Sequence, residues 1–226
     1  MIRGRTPTEP ASPVTIDLDA AKADAVTGIV ELERIVGFPA ALSVDKVQSG
    51  MSGRVMEFVR QSPFYLIATA NADGTCDVSP RGDPAGEIRI LDAQTLVLPD
   101  RQGNNRVDSL RNLVSNPSIG LLFLVPRSDE TLRVNGTATI SRHAPLLDGM
   151  AMRGKTPRLA LIVEITEAYM HCGRAFRRSH LWDPAFWPAK EDVPSMAAVL
   201  KEQLGMPGDI ADLERERSEK YDRTLY

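Results

Sequence analysis

The sequence is poor in the residues that build disulfide scaffolds, metal centres and membrane spans. It has two cysteines and three histidines in 226 residues, too few for a disulfide framework, and no Cys-x-x-Cys pair offers a zinc knuckle. No apolar run reaches the ~20 residues of a membrane span, and the first 19 residues lack the apolar core of a secretory signal. We therefore expect a soluble, cytoplasmic protein without a membrane partner.

An excess of positive charge is also absent. The formal net charge is −3 and the pI is near 5.7, which argues against nucleic acid or an anionic membrane as the main partner and leaves room for a local basic pocket. The hydrophobic content of 42% suffices for one fairly large core. We predict a flexible N-terminal arm over residues 1–16, followed by a single domain over residues 17–226.

Helical periodicity is found at both ends of the chain. Apolar residues at helical spacing predict one amphipathic helix over residues 20–36 and a second over 52–61, which Pro63 ends. Two further helices are predicted over residues 195–204 and 208–221, where they would cover the core or a partner subunit.

Strand spacing dominates the middle of the chain, where Asn71-Ala-Asp-Gly74 is a hairpin turn signal. A short helix over residues 106–114 interrupts the strands, and Gly136 is a candidate bulge. Taken as five or six strands, the runs favour a small closed or nearly closed antiparallel barrel, since closure removes exposed sheet edges. The runs lie at residues 64–70, 75–79, 87–91, 95–98, 118–125, 132–141 and 159–166.

The stretch from Leu98 to Pro117 is the first candidate site. It predicts a strand end, a polar loop with two asparagines and two arginines, and then a helix, and backbone N–H groups before a helix start favour anions such as phosphate. Arg101 and Arg106 carry the planar fork of donors that suits phosphate oxygens. The alternative is a solvated loop that caps an ordinary helix.

The segment from Glu167 to Asp183 is the second candidate site. It sets Arg174 and two further arginines within two helical turns, just before Ser179 and Trp182. The alternative is a surface helix whose arginines bind carboxylates elsewhere. Cys172 is either a redox thiol or an inert cysteine, and because its spacing to the neighbouring histidines matches no common zinc signature, we predict no metal site.

Several motifs together resemble a known family. Residues 69–83, 98–117, 120–126 and 130–136 look like the FMN-binding split barrel of the pyridoxamine 5'-phosphate oxidase-like superfamily. Two shorter motifs, at 171–176 and 179–184, resemble a branch described as FMN-dependent enzymes without assigned substrates. The resemblance implies a mainly β fold, a six-stranded antiparallel split β-barrel with flanking α-helices. It also implies a homodimer with one FMN in each of two clefts at the dimer interface.

The resemblance further implies where FMN would be held. A basic strand residue and the polar loop would hold its phosphate, through Arg81, Asn104, Asn105 and Arg106. The strand backbone and the end of a second strand would lie along its ring, at Ser79, Pro80, Gly82, Pro99 and Asp100. The second subunit would close the cleft with Arg133, Arg174, Ser179 and Trp182.

The expected activity differs from that of the vitamin-forming oxidase itself. The oxidase's Arg-Leu-His-Asp-Arg-like segment, which grips the substrate phosphate, has no counterpart in residues 185–226, so oxidation of pyridoxamine phosphate is not expected. Two functions stay open: an FMN-dependent oxidoreductase acting on a small substrate, and a non-catalytic flavin-binding or carrier module. A barrel that has lost its flavin is a third. No catalytic residue is assigned.

Overall fold

The structure is a computed structural model that describes residues 15–226. The arm predicted for residues 1–16 lies outside the described residues except for its last two. The chain divides into two compact units, Met1–Val44 and Asp45–Tyr226. The single domain predicted for residues 17–226 stays a prediction.

The prediction of one continuous helix over residues 20–36 is wrong. Two helices are present, α1 (Leu18–Ala23) and α2 (Ile29–Val36), followed by the unpredicted α3 (Ala41–Asp45). The Asp17 carboxylate accepts the backbone N–H groups of Asp19 and Ala20 at 3.0 and 3.1 Å and so starts α1. Gly28 has an extended conformation and precedes α2. The helix is interrupted between α1 and α2 because Thr27 and Gly28 are poor helix formers.

The second unit is built on one antiparallel sheet of seven strands in the order β2-β1-β5-β6-β7-β4-β3. Each predicted run corresponds to one strand, although β2, β4 and β7 extend beyond their predicted ends and β6 begins one residue earlier. The strands are β1 (Phe64–Ala70), β2 (Cys76–Gly82), β3 (Arg89–Ile90), β4 (Thr95–Asp100), β5 (Ser118–Leu124), β6 (Thr131–Ser141) and β7 (Leu159–His171).

The prediction of a six-stranded split barrel, closed or nearly closed, is wrong in strand number and in closure. Within residues 15–226, β2 and β3 are the two edges of the sheet and do not pair with each other. Closure would need backbone donors along both edges, but β3 has two residues and Pro80 in β2 has no N–H group. The mainly β architecture with flanking helices is confirmed.

Six helices complete the second unit. All were predicted except α6, which carries a proline in its first turn; α7 lies in the segment from Glu167 to Asp183, for which a surface helix is one of the two alternatives. The bounds are α4 (Gly53–Gln61), α5 (Asp108–Ser115), α6 (Ala144–Asp148), α7 (Arg174–Ser179), α8 (Met196–Leu204) and α9 (Ile210–Thr224). Two 3-10 turns lie at Pro184–Phe186 and Lys190–Asp192.

The main core lies on one face of the sheet, as the alternating strands predict, and a smaller buried cluster of Val97, Leu147, Met150 and Ala160 lies on the other. In β1, Tyr65 and Ile67 point inward and are buried, and the Tyr65 ring lies 5.3 Å from that of Phe123 in β5. Each fully buried side chain of this size contributes about 1.5–3 kcal/mol relative to its exposed state. Leu110 and Leu113 of α5 join the same cluster, which fixes α5 against the sheet.

The bulge predicted at Gly136 is confirmed. The pairing of β6 with β7 shifts register between Asn135 and Gly136. A Cβ atom on Gly136 would lie 2.0 Å from the main-chain oxygen of Glu164, so a side chain cannot be placed there without moving β7. The glycine allows two long strands to approach at the bulge.

Candidate functional site

A cavity of about 560 Å³ lies against the edge strand β2, within the range of roughly 300–1,000 Å³ that small-molecule sites occupy. Three stretches of the second unit and one separate residue form its wall. They are residues 77–81 of β2, residues 100–109 from the end of β4 into α5, residues 155–158 before β7, and Tyr226.

The β2 wall follows from the place of this strand in the sheet. Among the described residues, β2 pairs with β1 alone, so its other edge is free for a ligand. Arg81 extends from this wall, with Nη2 3.9 Å from Asp100 Oδ1 at the end of β4. A cation and an acid therefore face each other where two strands end.

The loop between β4 and α5 has an unusual backbone conformation at the start of the helix. Asn105 and Val107 have positive φ angles of 60° and 53°, which non-glycine residues rarely adopt. Asn104 Oδ1 accepts the backbone N–H of Arg106 at 3.0 Å and fixes the turn. Val107 precedes α5 without a side-chain cap, so backbone N–H groups at the helix start are free to bind an anion.

Acidic side chains pair with residues of this loop and of the start of α5. Arg106 donates Nε to Asp108 Oδ2 at 2.8 Å, and this hydrogen bond raises the pKa of the guanidinium above its ordinary value. The Asp77 carboxylate accepts the Ser109 hydroxyl at 2.5 Å. The terminal nitrogens of Arg106 have no hydrogen-bond partner within residues 15–226, so a phosphate could use them without breaking the pair.

A buried ion pair supports the cavity wall from behind. Arg101 donates Nε to Asp83 Oδ2 at 2.8 Å and Nη1 to the main-chain oxygen of Met150 at 2.7 Å. Asp83 Oδ1 and Arg101 Nη2 are buried and have no hydrogen-bond partner; Glu87 lies 3.7 Å from Nη2. This arrangement ties β4 to the loop after β2 and to the residues after α6.

Two groups near the cavity have raised pKa values. Burial raises the pKa of Asp100, and the nearby Arg81 cation opposes this shift without cancelling it. Burial also raises the pKa of the Tyr65 phenol. Asp100 therefore holds a proton more readily than an exposed aspartate does.

Seven of the thirteen predicted cofactor residues line this cavity. Gly82 and Pro99 adjoin it without lining it: Gly82 pairs with Phe64, and Pro99 is buried opposite Ala160. The seven that line it are Ser79, Pro80, Arg81, Asp100, Asn104, Asn105 and Arg106.

The other four predicted residues lie away from this cavity. Arg133 is three strands from Pro80 along one row of paired residues, which is a distance of about 14 Å at the usual strand spacing. Its Nη1 donates a hydrogen bond to the Tyr169 hydroxyl at 3.0 Å. Trp182 donates Nε1 to the main-chain oxygen of Ser128 at 2.8 Å. Arg174 and Ser179 belong to α7, beside Trp182.

Sequence reasoning missed the loop of residues 155–158 and Tyr226. No local motif marks them, although Lys155 and Arg158 are two cations that flank Thr156 and Pro157. Lys155 and Arg158 reach the cavity because Leu159 pairs with Asp100, a long-range register that the loop sequence does not encode.

Residues 15–226 contain no cluster of three or more His, Cys, Asp or Glu side chains placed to hold a metal ion. None of their helices has the length and apolar character needed to cross a membrane.

The chain belongs to the pyridoxamine 5'-phosphate oxidase family, whose model matches residues 51–172, more than half of the chain. The matched residues include all seven strands, together with the β2 and α5 walls of the cavity. No protein of curated function matches the chain.

Several solved structures are similar to part of the chain at low identity. HupZ of Group A Streptococcus is 16% identical with a TM-score of 0.44, over 53% of this chain and 93% of that one. A pyridoxinephosphate oxidase family protein from Clostridium acetobutylicum is 16% identical with a TM-score of 0.39, over 52% and 85%. An FMN-binding protein from Syntrophomonas wolfei is 11% identical with a TM-score of 0.40, over 64% and 98%. At identities and TM-scores this low, the likeness carries no argument about function.

Proposed function

We propose that this protein is an FMN-binding flavoprotein that acts as an oxidoreductase on a small substrate. The observation that carries the proposal is the cavity itself: an uncapped helix start, the fixed turn at Asn104 and two arginines, Arg81 and Arg106, meet beside an unpaired strand edge. Membership of the pyridoxamine 5'-phosphate oxidase family supports the same cofactor.

The residues present fit FMN. The backbone N–H groups that open α5, with Asn105 and Arg106, would hold the phosphate. The free edge of β2 at Ser79 and Pro80 would lie along the planar ring, with Arg81 beside it. The carboxylates of Asp77 and Asp108 do not exclude this binding, because both accept hydrogen bonds from neighbouring side chains.

Bound FMN would supply hydride and electron transfer, and the chain would supply orientation and electrostatics. Arg81 would place a positive charge next to the ring. Asp100, whose pKa is raised by burial, is the cavity residue best suited to hold a proton and release it to a reacting atom. No histidine or cysteine lines the cavity within residues 15–226.

We also propose that a second copy of the chain completes the site, as a homodimer. The outer face of β2, β1 and β5 is apolar: Val78 is 64% exposed and Phe64 40%, and Pro80, Leu66 and Leu122 form a paired row on the same face. This face adjoins the cavity. Arg133 lies on the continuation of that row and, with the segment from Arg174 to Trp182, would reach the cavity of the partner.

The absorbance spectrum of the purified protein tests the proposal. Absorption bands at about 370 and about 450 nm, as expected of an oxidised flavin, retained at about one FMN per chain after removal of excess FMN, are the expected result. A colourless protein that takes up no FMN would overturn it.

A non-catalytic flavin carrier is the second candidate function. The lack of a recognisable substrate-binding motif in the sequence favours it. Steady multiple-turnover reduction by a nicotinamide donor with a defined acceptor would exclude a carrier, and flavin that stays oxidised with every donor would favour one.

A further inference from the structure

The β2 wall of the cavity carries a row of three polar side chains. Asp77, Ser79 and Arg81 all line the cavity, and they share one face of the strand because side chains alternate between its two faces. Successive members of the row are therefore about 7 Å apart along the strand. The row passes from a carboxylate through a hydroxyl to the guanidinium group that faces Asp100.

Asp77 is the member of this row that lies beside the start of α5. The Ser109 hydroxyl donates to Asp77 Oδ2 at 2.5 Å, the length of a charge-assisted hydrogen bond, and Ser109 is the second residue of α5. Asp108 and, more weakly, Asp77 raise the pKa of the Arg106 guanidinium, which places the Asp77 carboxylate near the proposed phosphate loop. Asp77 is therefore at the phosphate end of the row, and Arg81 is at the ring end.

The second carboxylate oxygen of Asp77 is available to a ligand. Asp77 is half-buried, and within residues 15–226 its Oδ1 atom has no hydrogen-bond partner. An ionised carboxylate only accepts hydrogen bonds, so this oxygen selects ligand groups that donate one. A phosphate oxygen gains nothing from such an acceptor, whereas a hydroxyl group does. The ligand group expected next to the phosphate is therefore a hydroxyl.

We propose that Asp77 Oδ1 accepts a hydrogen bond from the hydroxyl-bearing chain that joins the phosphate of FMN to its ring, and that Asp77 thereby selects flavin phosphates that carry these hydroxyls. The inference rests on the proposed flavin function, because it assigns the part of FMN between the phosphate and the ring. Ser109 is a positioning residue, since its hydrogen bond occupies Oδ2 and leaves Oδ1 for the ligand.

Attachment of α5 to the sheet is a role that the test must separate from ligand selection. Two other side-chain hydrogen bonds join α5 to the hairpin of β1 and β2: Asn112 donates to Thr69 at 3.1 Å, and Ser115 donates to Asn71 at 2.5 Å. None of these four residues lines the cavity. Removing one of these bonds loosens the helix without removing an acceptor from the cavity.

Fluorescence titration of the full-length protein, freed of bound flavin, tests the selection. The matched probes are FMN and its trideoxy analogue, in which hydrogen replaces every hydroxyl group of the chain. Both probes carry the same phosphate and ring, so repulsion between Asp77 and the phosphate cancels in the ratio of the two affinities. The unaltered protein should bind FMN at least about tenfold more tightly than the analogue, the effect of one hydrogen bond to a charged group.

Three variants divide the two roles of Asp77. Asp77→Ala should reduce the preference for FMN about tenfold. Asp77→Asn, which is isosteric and keeps an oxygen for Ser109, should reduce it by a smaller factor and covers the case in which Asp77→Ala does not fold. Ser115→Ala is the matched control, because it removes a hydrogen bond between α5 and the hairpin; it should leave the ratio of the two affinities unchanged.

The outcomes separate this inference from the proposed function. Equal affinities of the unaltered protein for the two flavins, or a preference that both Asp77 variants retain in full, would overturn the inference while flavin binding stands. Loss of the preference in Ser115→Ala would also overturn it, because attachment of α5 alone would then set the ratio. A protein that binds neither flavin would overturn the proposed function and the inference together.

Discussion

Arg101 and Asp83 form an ion pair of 2.8 Å in which both side chains are nearly withdrawn from solvent, at 15% and 9% exposure. The pair links the strand end β4 to the loop that follows β2, the two elements that hold the cavity wall. Removing one partner from such a pair leaves an uncompensated charge, which is the costly case for buried ions.

Arg101→Ala should lower the free energy of unfolding by about 3 kcal/mol, because Asp83 would stay buried without its cation. Arg54→Ala is the control, since Arg54 pairs with Glu57 at 2.9 Å on the surface at 91% exposure and should cost less than about 1 kcal/mol. Chemical denaturation of both variants measures the difference. Similar losses would show that the buried pair contributes no more than a surface one.

Asp100→Asn should change the pH dependence of stability. Burial raises the pKa of Asp100 in the folded protein, so the native protein loses stability as pH rises from the ordinary aspartate value of about 3.9 through the raised value. The variant lacks this titration, so its stability relative to the unaltered protein should increase with pH across that window. Denaturation at several pH values measures this, and a relative stability that falls with pH would mean that Arg81 lowers the pKa of Asp100 overall.

Arg106→Ala should weaken FMN binding by about 1.5–3 kcal/mol, the value of a charge-assisted hydrogen bond. Arg111→Ala is the matched control, because Arg111 lies on the same helix α5, is exposed and does not line the cavity. Fluorescence titration of the flavin gives both affinities. An Arg106→Ala protein with unchanged affinity would remove Arg106 from the phosphate site.

Val78→Asp should convert the proposed dimer into monomers, because it places a charge on the apolar outer face of the sheet. Val114→Asp is the control, since Val114 is 80% exposed on α5 and should leave the assembly unchanged. Sedimentation equilibrium gives the mass of each protein. A Val78→Asp protein that stays dimeric would move the interface to another face.

Gly136→Ala should destabilise the protein by about 3 kcal/mol or prevent folding, because the new Cβ atom would collide with the main-chain oxygen of Glu164. Gly53→Ala meets no atom within 4 Å at the start of α4 and should be neutral or stabilising by up to about 1 kcal/mol. Thermal unfolding compares the two. Equal stability of the two variants would show that β7 can shift at the bulge.

Local signals in the sequence predicted much of this fold. The turn at Asn71–Gly74 places β1 and β2 as a hairpin, and the alternating runs match the strands because side chains in a strand alternate between two faces. The polar loop at Asn104 to Arg106 was identified by composition and now lines the cavity. Each of these features depends on residues that are near one another in the chain.

Features set by long-range contacts were not predicted. Periodicity shows that a strand exists but not which strands pair, so the open edges at β2 and β3 could not be told from a closed barrel. The pairing of Asp100 with Leu159 brings Arg158 to the cavity, and nothing near Arg158 in the sequence indicates this. The break between α1 and α2 was missed because apolar spacing continues through it.

Pro80 has a consequence beyond the site it helps to form. An unpaired strand edge is a template on which another chain can add a strand and begin to aggregate. With Pro80 near the middle of β2, the edge lacks one of the donors that an added strand would need. A planar ligand does not need a continuous row of backbone hydrogen bonds. Pro80 therefore leaves the edge open to a small molecule and protects the protein from misassembly.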